Sequence, residues 1–216
     1  MAASEAVRVY GGVSPADRRA DRRARLTAAV VDIVGEQGWS AATVRHVAST
    51  AGVGARFFYE SFTDMTELVI TAYDELGAEL LADAVEAIAL TATTGVPDLD
   101  LHAKARAAVG AIVGGVAENP RRARFLLTDA PVLAERKRAV LQLVAQELTH
   151  QSGEAGAALD LRQAQLCATV VMAGAVELVR GWVEGTLDVG PDELTEIVAS
   201  TLSTLTATMP GIVRRE

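Results

Sequence analysis

The side chains best suited to recognition chemistry lie close together between Thr43 and Phe62, in the run TVRHVASTAGVGARFFYESF. Arg56 carries a planar fork of N–H donors. That fork matches the two major-groove acceptors of guanine, and it serves equally well as a contact to a backbone phosphate. Phe57 offers an apolar face to a thymine methyl group or, alternatively, to the first helix, while Phe58 reads as the core residue of the pair. Arg45, earlier in the run, is expected at a phosphate, and His46 is a neutral imidazole without an assigned use. Such groups bind and orient a polyanion.

Bond-making chemistry finds no comparable cluster. Cys167 is the single cysteine, which excludes an intramolecular disulfide and any multi-cysteine metal site. His46, His102 and His150 show no ligand spacing with acids or with each other. No glycine loop of the phosphate-binding kind is present, and nothing in the sequence brings His102 to Cys167. The expectation is no catalytic residue, no metal and no cofactor.

The elements that must position these groups are helical. Val44, Val47 and Ala48 recur at helical spacing, and Thr43 can cap the first short helix. Gly52 permits the cramped backbone of a sharp reversal, Val53 plugs the angle, and a second short helix carries Arg56 to Tyr59. Two short helices joined by a glycine-bearing turn are the geometry that places one of them in a DNA major groove. In front of them, Ser14-Pro15-Asp17 resembles a helix start, and a helix is expected over Pro15 to Gln37. Leu26, Val30, Ile33 and Val34 form its buried stripe and Gly38 its stop, with Trp39 and Phe62 closing a small core. Residues 1–16 lack periodicity and read as a flexible arm.

Net charge is −8 over 216 residues, which at first argues against a nucleic-acid partner. The charge is unevenly placed, however: residues 1–63 sum to +2 and residues 64–216 to −10. Arg18, Arg19, Arg22, Arg23 and Arg25 crowd the start of the first helix, where they can follow a phosphate backbone, reach a minor groove, or form a solvated face. Attraction to phosphate is local over about a Debye length, ~10 Å, so a basic end on an acidic body can still bind DNA. Alanine, valine and leucine dominate the remainder and predict long helices, with loops at TATTGVPDLD and SGEAGAA. The helices expected there run from Asp64 to about Leu90, Leu99 to Glu118, Pro120 to about Leu127, and Pro131 to about Gln151. Two more follow over Leu159–Leu187 and Pro191–Met209. The fold class is all-α, about nine helices, three in front and six behind. No apolar run reaches a membrane span and no apolar leader opens the chain, so a soluble, cytoplasmic protein is expected.

Taken in order, Arg25-Leu26 through Gly38, Thr43-Val44, Val47-Ala48, Ala51-Gly52-Val53 and Tyr59-Glu60-Ser61-Phe62 resemble the TetR family of bacterial transcriptional regulators. The match covers about residues 21–70. The resemblance implies a helix-turn-helix DNA-binding domain over 17–63 and a helical effector-binding and dimerisation domain over 64–216. It also implies that Tyr59 and Thr43 are phosphate-contacting hydroxyls, which position rather than specify. The DNA-facing set is then Arg22, Arg23, Thr43, Arg45, Gly54, Arg56, Phe57, Tyr59 and Ser61. Three positions depart from the family pattern: Gly54 stands where Ser or Thr caps the recognition helix, Ala55 where a basic residue often follows, and Met65 where a lysine is common.

In the last two helices, Leu166, Val170, Ala173, Val176, Leu178, Val179 and Trp182, then Leu194, Ile197, Val198, Leu202 and Leu205, exceed one apolar stripe. Small residues at Ala168, Ala173, Gly174 and Ala175 would let another helix approach. These helices are either an intrachain core or, as the resemblance implies, a two-fold dimer interface. His102, Arg106, Phe125, Asp129, Cys167, Met172 and Trp182 are candidates for a few polar and apolar pocket groups, none of them assigned to a ligand. The expected function is a homodimeric repressor released from a palindromic operator by a small effector of apolar character. The alternatives are a helical binding or adaptor protein whose DNA contacts have decayed and, less favoured, an enzyme.

Overall fold

Pro15–Gln37 form α1, the range the sequence predicts. Ser14 Oγ accepts from the Asp17 N–H at 3.0 Å, and the Asp17 carboxylate accepts from the Ser14 N–H at 3.2 Å. This reciprocal pair satisfies two amides that a helix start would otherwise leave without partners. At the far end Gly38 adopts φ +82°, and its N–H donates to Val34 O at 2.9 Å. The computed structural model describes residues 14–154 and 161–213. Of the expected arm, residues 1–13 lie outside the described residues.

After a 3-10 turn at Trp39–Ala41, Val44–Thr50 form α2 and Ala55–Ser61 form α3. Gly52 sits between them at φ +61°, a conformation that costs a residue with a Cβ roughly 1–2 kcal/mol. Met65–Ala89 is α4, capped by Asp64, whose Oδ1 accepts from the Glu67 N–H at 2.8 Å. Then come α5 (Pro97–Glu118), α6 (Pro120–Leu127), α7 (Ala134–Glu154), α8 (Leu161–Val183) and α9 (Pro191–Val213). The described residues hold nine α-helices and no strand, and none of these helices is long and apolar enough to cross a membrane.

Several boundaries differ from the sequence reading, each for a local reason. α5 begins at Pro97 because Asp100 ties down the preceding loop, accepting from the Thr94 N–H at 2.6 Å, the Thr94 hydroxyl at 2.7 Å and the Gly95 N–H at 3.0 Å. Those donors, Thr94 first, hold the Asp100 carboxyl below its ordinary range. Pro131 opens a short 3-10 turn, Pro131–Leu133, and α7 starts only at Ala134. α8 stops at Val183, short of Leu187, where Gly185 takes φ +72° and the amides of Thr186 and Leu187 fold back onto Gly181 O at 2.8 and 3.0 Å. α9 continues past Met209 to Val213. The expected loop after Gln151 is partly helical, since α7 reaches Glu154, and its residues 155–158 lie outside the described residues.

One buried cluster links the front of the chain to its body. Leu26, Val30, Ile33 and Val34 of α1 meet Val47, Val53, Phe58 and Phe62, as the periodicity predicts. Leu68, Val69, Ala72 and Leu76 of α4, Phe125 of α6, and Leu133 belong to the same cluster. The expected division at residues 63 and 64 therefore does not divide the core. α1 and α6 also approach so closely that a Cβ on Gly35 would lie 2.3 Å from Arg121 O. A second cluster joins Val113 of α5 to Leu194 and Val198 of α9, with Leu178, Val179 and Trp182 of α8 packed against it.

Candidate nucleic-acid interface

The orientation of α3 is fixed from beneath and from both ends. Phe58 is fully buried, with the Tyr59 ring edge-on at 5.3 Å and Phe62 at 6.3 Å. At the turn, Arg25 of α1 donates from Nη2 to Ala51 O and, at 3.0 Å, to Gly52 O. At the C-terminus of α3, Arg23 donates to Ser61 O, lies 4.0 Å above the Phe62 ring, and faces Glu67 Oε1 of α4 at 3.7 Å. Glu67 is itself held by the Thr63 N–H at 2.7 Å and the Thr63 hydroxyl at 2.8 Å. These two donors, aided by Arg23, lower its pKa below the ordinary 4.5. Two cations of the basic run thus act as clamps on carbonyl oxygens that α2 and α3 leave unpaired.

This changes the standing of individual candidates. Arg56 is 89% exposed, Tyr59 62% and Phe57 45%, and all three lie on α3. Thr43 and Arg45 are exposed at the start of α2, where Thr43 Oγ1 accepts from the His46 N–H at 3.2 Å. Gly54 is exposed as the N-cap of α3 and contributes no side-chain cap. Arg22 leans over the Phe57 ring, 5.1 Å from guanidinium to centroid, so Phe57 partly packs on α1 and partly faces out. The Arg22 Nε is buried without a hydrogen-bond partner. Ser61 and Arg23 do not join the exposed set. Ser61 is 3% exposed and its hydroxyl donates to Phe57 O at 2.8 Å, while Arg23 is the clamp just described. The sequence places Arg25 only in the basic run, and its role at the turn depends on a neighbourhood in space.

The pocket candidates do not converge. Phe125 belongs to the main core, and Asp129 is an exposed partner of Lys137 and Arg180 at 3.8 and 3.4 Å. His102 and Arg106 instead join α5 to Glu196 of α9, at 3.2 Å each. His102 Nδ1 also lies 3.3 Å from Ser203 Oγ, a proximity the sequence did not disclose. Ser203 is nearly buried and donates to Ser200 O at 3.2 Å. Ser200 O and His102 Nδ1 thus both lie within reach of the Ser203 hydroxyl, and the group ties α5 to α9. Trp182 packs against the second cluster, Met172 is half-buried, and the Cys167 side chain lies outside the described residues. A cavity of about 120 Å³ opens instead between α4, α5 and α6, with Leu76, Leu80, Val116 and Leu126 as its apolar wall and Glu79, Asp83, Glu118 and Arg122 at its polar side. The apolar residues of α8 and α9 divide: Leu194 and Val198 turn inward, while Leu166, Val170 and Ile197 are 61%, 63% and 42% exposed.

Residues 26–72 match the model of the bacterial regulatory proteins of the tetR family. The front of the chain is therefore similar to the DNA-binding segment of that family. Solved structures similar to the whole chain carry the same fold beyond that segment. The putative transcriptional regulator from Pseudomonas aeruginosa PAO1 is 17% identical with a TM-score of 0.69, over 90% of this chain and 95% of that one. The fatty acid degradation regulator FadR from Bacillus halodurans is 20% identical with a TM-score of 0.67, over 83% and 97%. FadR from Bacillus subtilis, in complex with stearoyl-CoA, is 19% identical with a TM-score of 0.64, over 84% and 97%. The chain therefore has the fold of a TetR-family transcriptional regulator.

Proposed function

We propose that this chain is a homodimeric repressor that reads a palindromic operator with α3 and leaves it when a small effector binds. The observation that carries this reading is the outward face of α3: a guanidinium, a phenol and a half-exposed phenyl ring on a helix clamped at both ends by Arg25 and Arg23. A rigidly held helix presenting such groups suits base and phosphate contacts. Arg56 and Phe57 take the base side. Arg45, Thr43, Tyr59 and Arg22 take the backbone, with Gly54 allowing close approach. The front unit, about residues 17–63, reads DNA, and the remainder binds effector and partner. One short helix reads only a few base pairs, so two copies are needed, and the exposed face of Leu166, Val170 and Ile197 is the surface on which they pair.

The effector cavity is the space between α4, α5 and α6. At about 120 Å³ it is below the ~300 Å³ of an ordinary ligand pocket, so the effector must part its walls. α4 and α6 are also the helices that share the core of α1, which gives ligand entry a route to the spacing of two α3 helices. The stearoyl-CoA bound by FadR of Bacillus subtilis makes an amphiphile with a long apolar part the first effector class to try.

Binding of duplex DNA followed by fluorescence anisotropy against salt tests the reading. Affinity should fall at least about a hundredfold between 50 and 200 mM salt, as several phosphate contacts require, and Arg45→Ala should reduce the slope. Salt-independent binding, or none at 50 mM, would instead favour the adaptor alternative. That reading draws on Gly54, Ala55 and Met65, positions at which the family pattern has a capping or basic residue.

A further inference from the structure

The centre of the outward face of α3 is an ion pair. Successive residues of a helix are about 100° apart, so residues two before and two after the buried Phe58 each lie about 160° from it. Those residues are Arg56 and Glu60, and Arg56 Nε stands 3.3 Å from Glu60 Oε1. Phe57 and Tyr59 lie on the flanks, about 100° to either side of Phe58. A carboxylate at the middle of a DNA-facing ridge repels phosphate. In a helix selected only for adhesion to DNA it would be a liability.

We propose that Glu60 is a positioning residue for Arg56 and sets the base discrimination of this helix. The proposal rests on the reading of α3 as the element that meets DNA. The approach to Glu60 is by Nε, and a guanidinium carries a further edge of two terminal nitrogens. That edge matches the paired acceptors O6 and N7 of guanine. Arg56 is 89% exposed, and without Glu60 its long side chain would sample many rotamers, most of them able to reach a phosphate. Glu60 therefore acts in two ways: it orders the guanidinium for a base, and it lowers affinity for DNA lacking the matching guanine.

The test is a double-mutant cycle with Glu60→Gln and Arg56→Lys, each variant checked by circular dichroism for an unchanged melting curve. Anisotropy is measured at one salt concentration on the selected operator, on versions with single G·C pairs inverted, and on an unrelated duplex. Glu60→Gln is expected to tighten binding to the unrelated duplex severalfold, and to cut discrimination at one G·C pair by about tenfold. Arg56→Lys should cut discrimination at the same pair, and the double variant should lose no more than either single one. A common factor for Glu60→Gln across all duplexes would reduce the pair to a surface ion pair and overturn the proposal, as would additive losses in the double variant. A wild-type protein indifferent to sequence would overturn the DNA-reading assignment of α3 itself, a result distinguishable from the other two.

Discussion

At the scale of single residues, the front of the molecule is held by arginines acting on backbone carbonyls. Arg25→Ala removes the donor that reaches Ala51 O and Gly52 O, and should lower stability by about 1 kcal/mol, read as a fall in melting temperature. Gly52→Ala meets two obstacles at once. The backbone is at φ +61°, and the new Cβ would stand 2.7 Å from the Arg25 Nη2. A cost of about 1–2 kcal/mol is expected, with DNA affinity reduced further because the turn aims α3. Glu67 supplies a pH signature. Its pKa is depressed by the Thr63 donors, so its stabilising contribution is complete above the ordinary 4.5 and is lost as pH falls through the lower folded value. Thr63→Val deletes the hydroxyl donor, and NMR titration should then show the Glu67 pKa moving up toward 4.5.

At the scale of elements, the crossing of α1 and α6 is the tightest joint between the front and the body. Gly35→Ala places a Cβ 2.3 Å from Arg121 O, so the two helices must part. A loss of roughly 1–3 kcal/mol in thermal or urea unfolding is expected. Much of this architecture was legible in the sequence. The Ser14–Asp17 start, the Gly38 stop and the stripe Leu26, Val30, Ile33 and Val34 are local signals, and local chemistry decides them. Gly52, Val53, Phe58 and Phe62 were equally readable, because a reversal between two short helices leaves few alternatives for a glycine and the apolar residues around it. Gly35 gave no signal, since its role depends on a carbonyl 86 positions further along the chain. The intrachain partners of Arg23 and Ser61 gave no signal for the same reason: each is held by a neighbour in space. The pocket candidates scattered because mixed apolar and polar composition on long helices does not fix which face points to which neighbour.

At the scale of the whole molecule, a single buried cluster runs from α1 through α4 to Phe125 of α6, while the α5–α8–α9 cluster lies behind it. The front and the body are thus mechanically joined, and a ligand that displaces α4 or α6 does work on α1. The exposed apolar face of α8 and α9 makes a further prediction. Val170→Asp with Ile197→Asp should shift the sedimentation coefficient from dimer to monomer and weaken operator binding by at least about a hundredfold, because the two half-sites are then bound independently. The most direct measurement is selection of bound fragments from the source genome by the wild-type protein and by Arg56→Ala, side by side. The account predicts a recurrent palindrome for the wild type, with half-sites one helical turn apart or a multiple of it, and loss of guanine preference within each half-site for the variant. Fragments without a shared sequence, or the same enrichment from both proteins, would contradict the claim that α3 reads DNA.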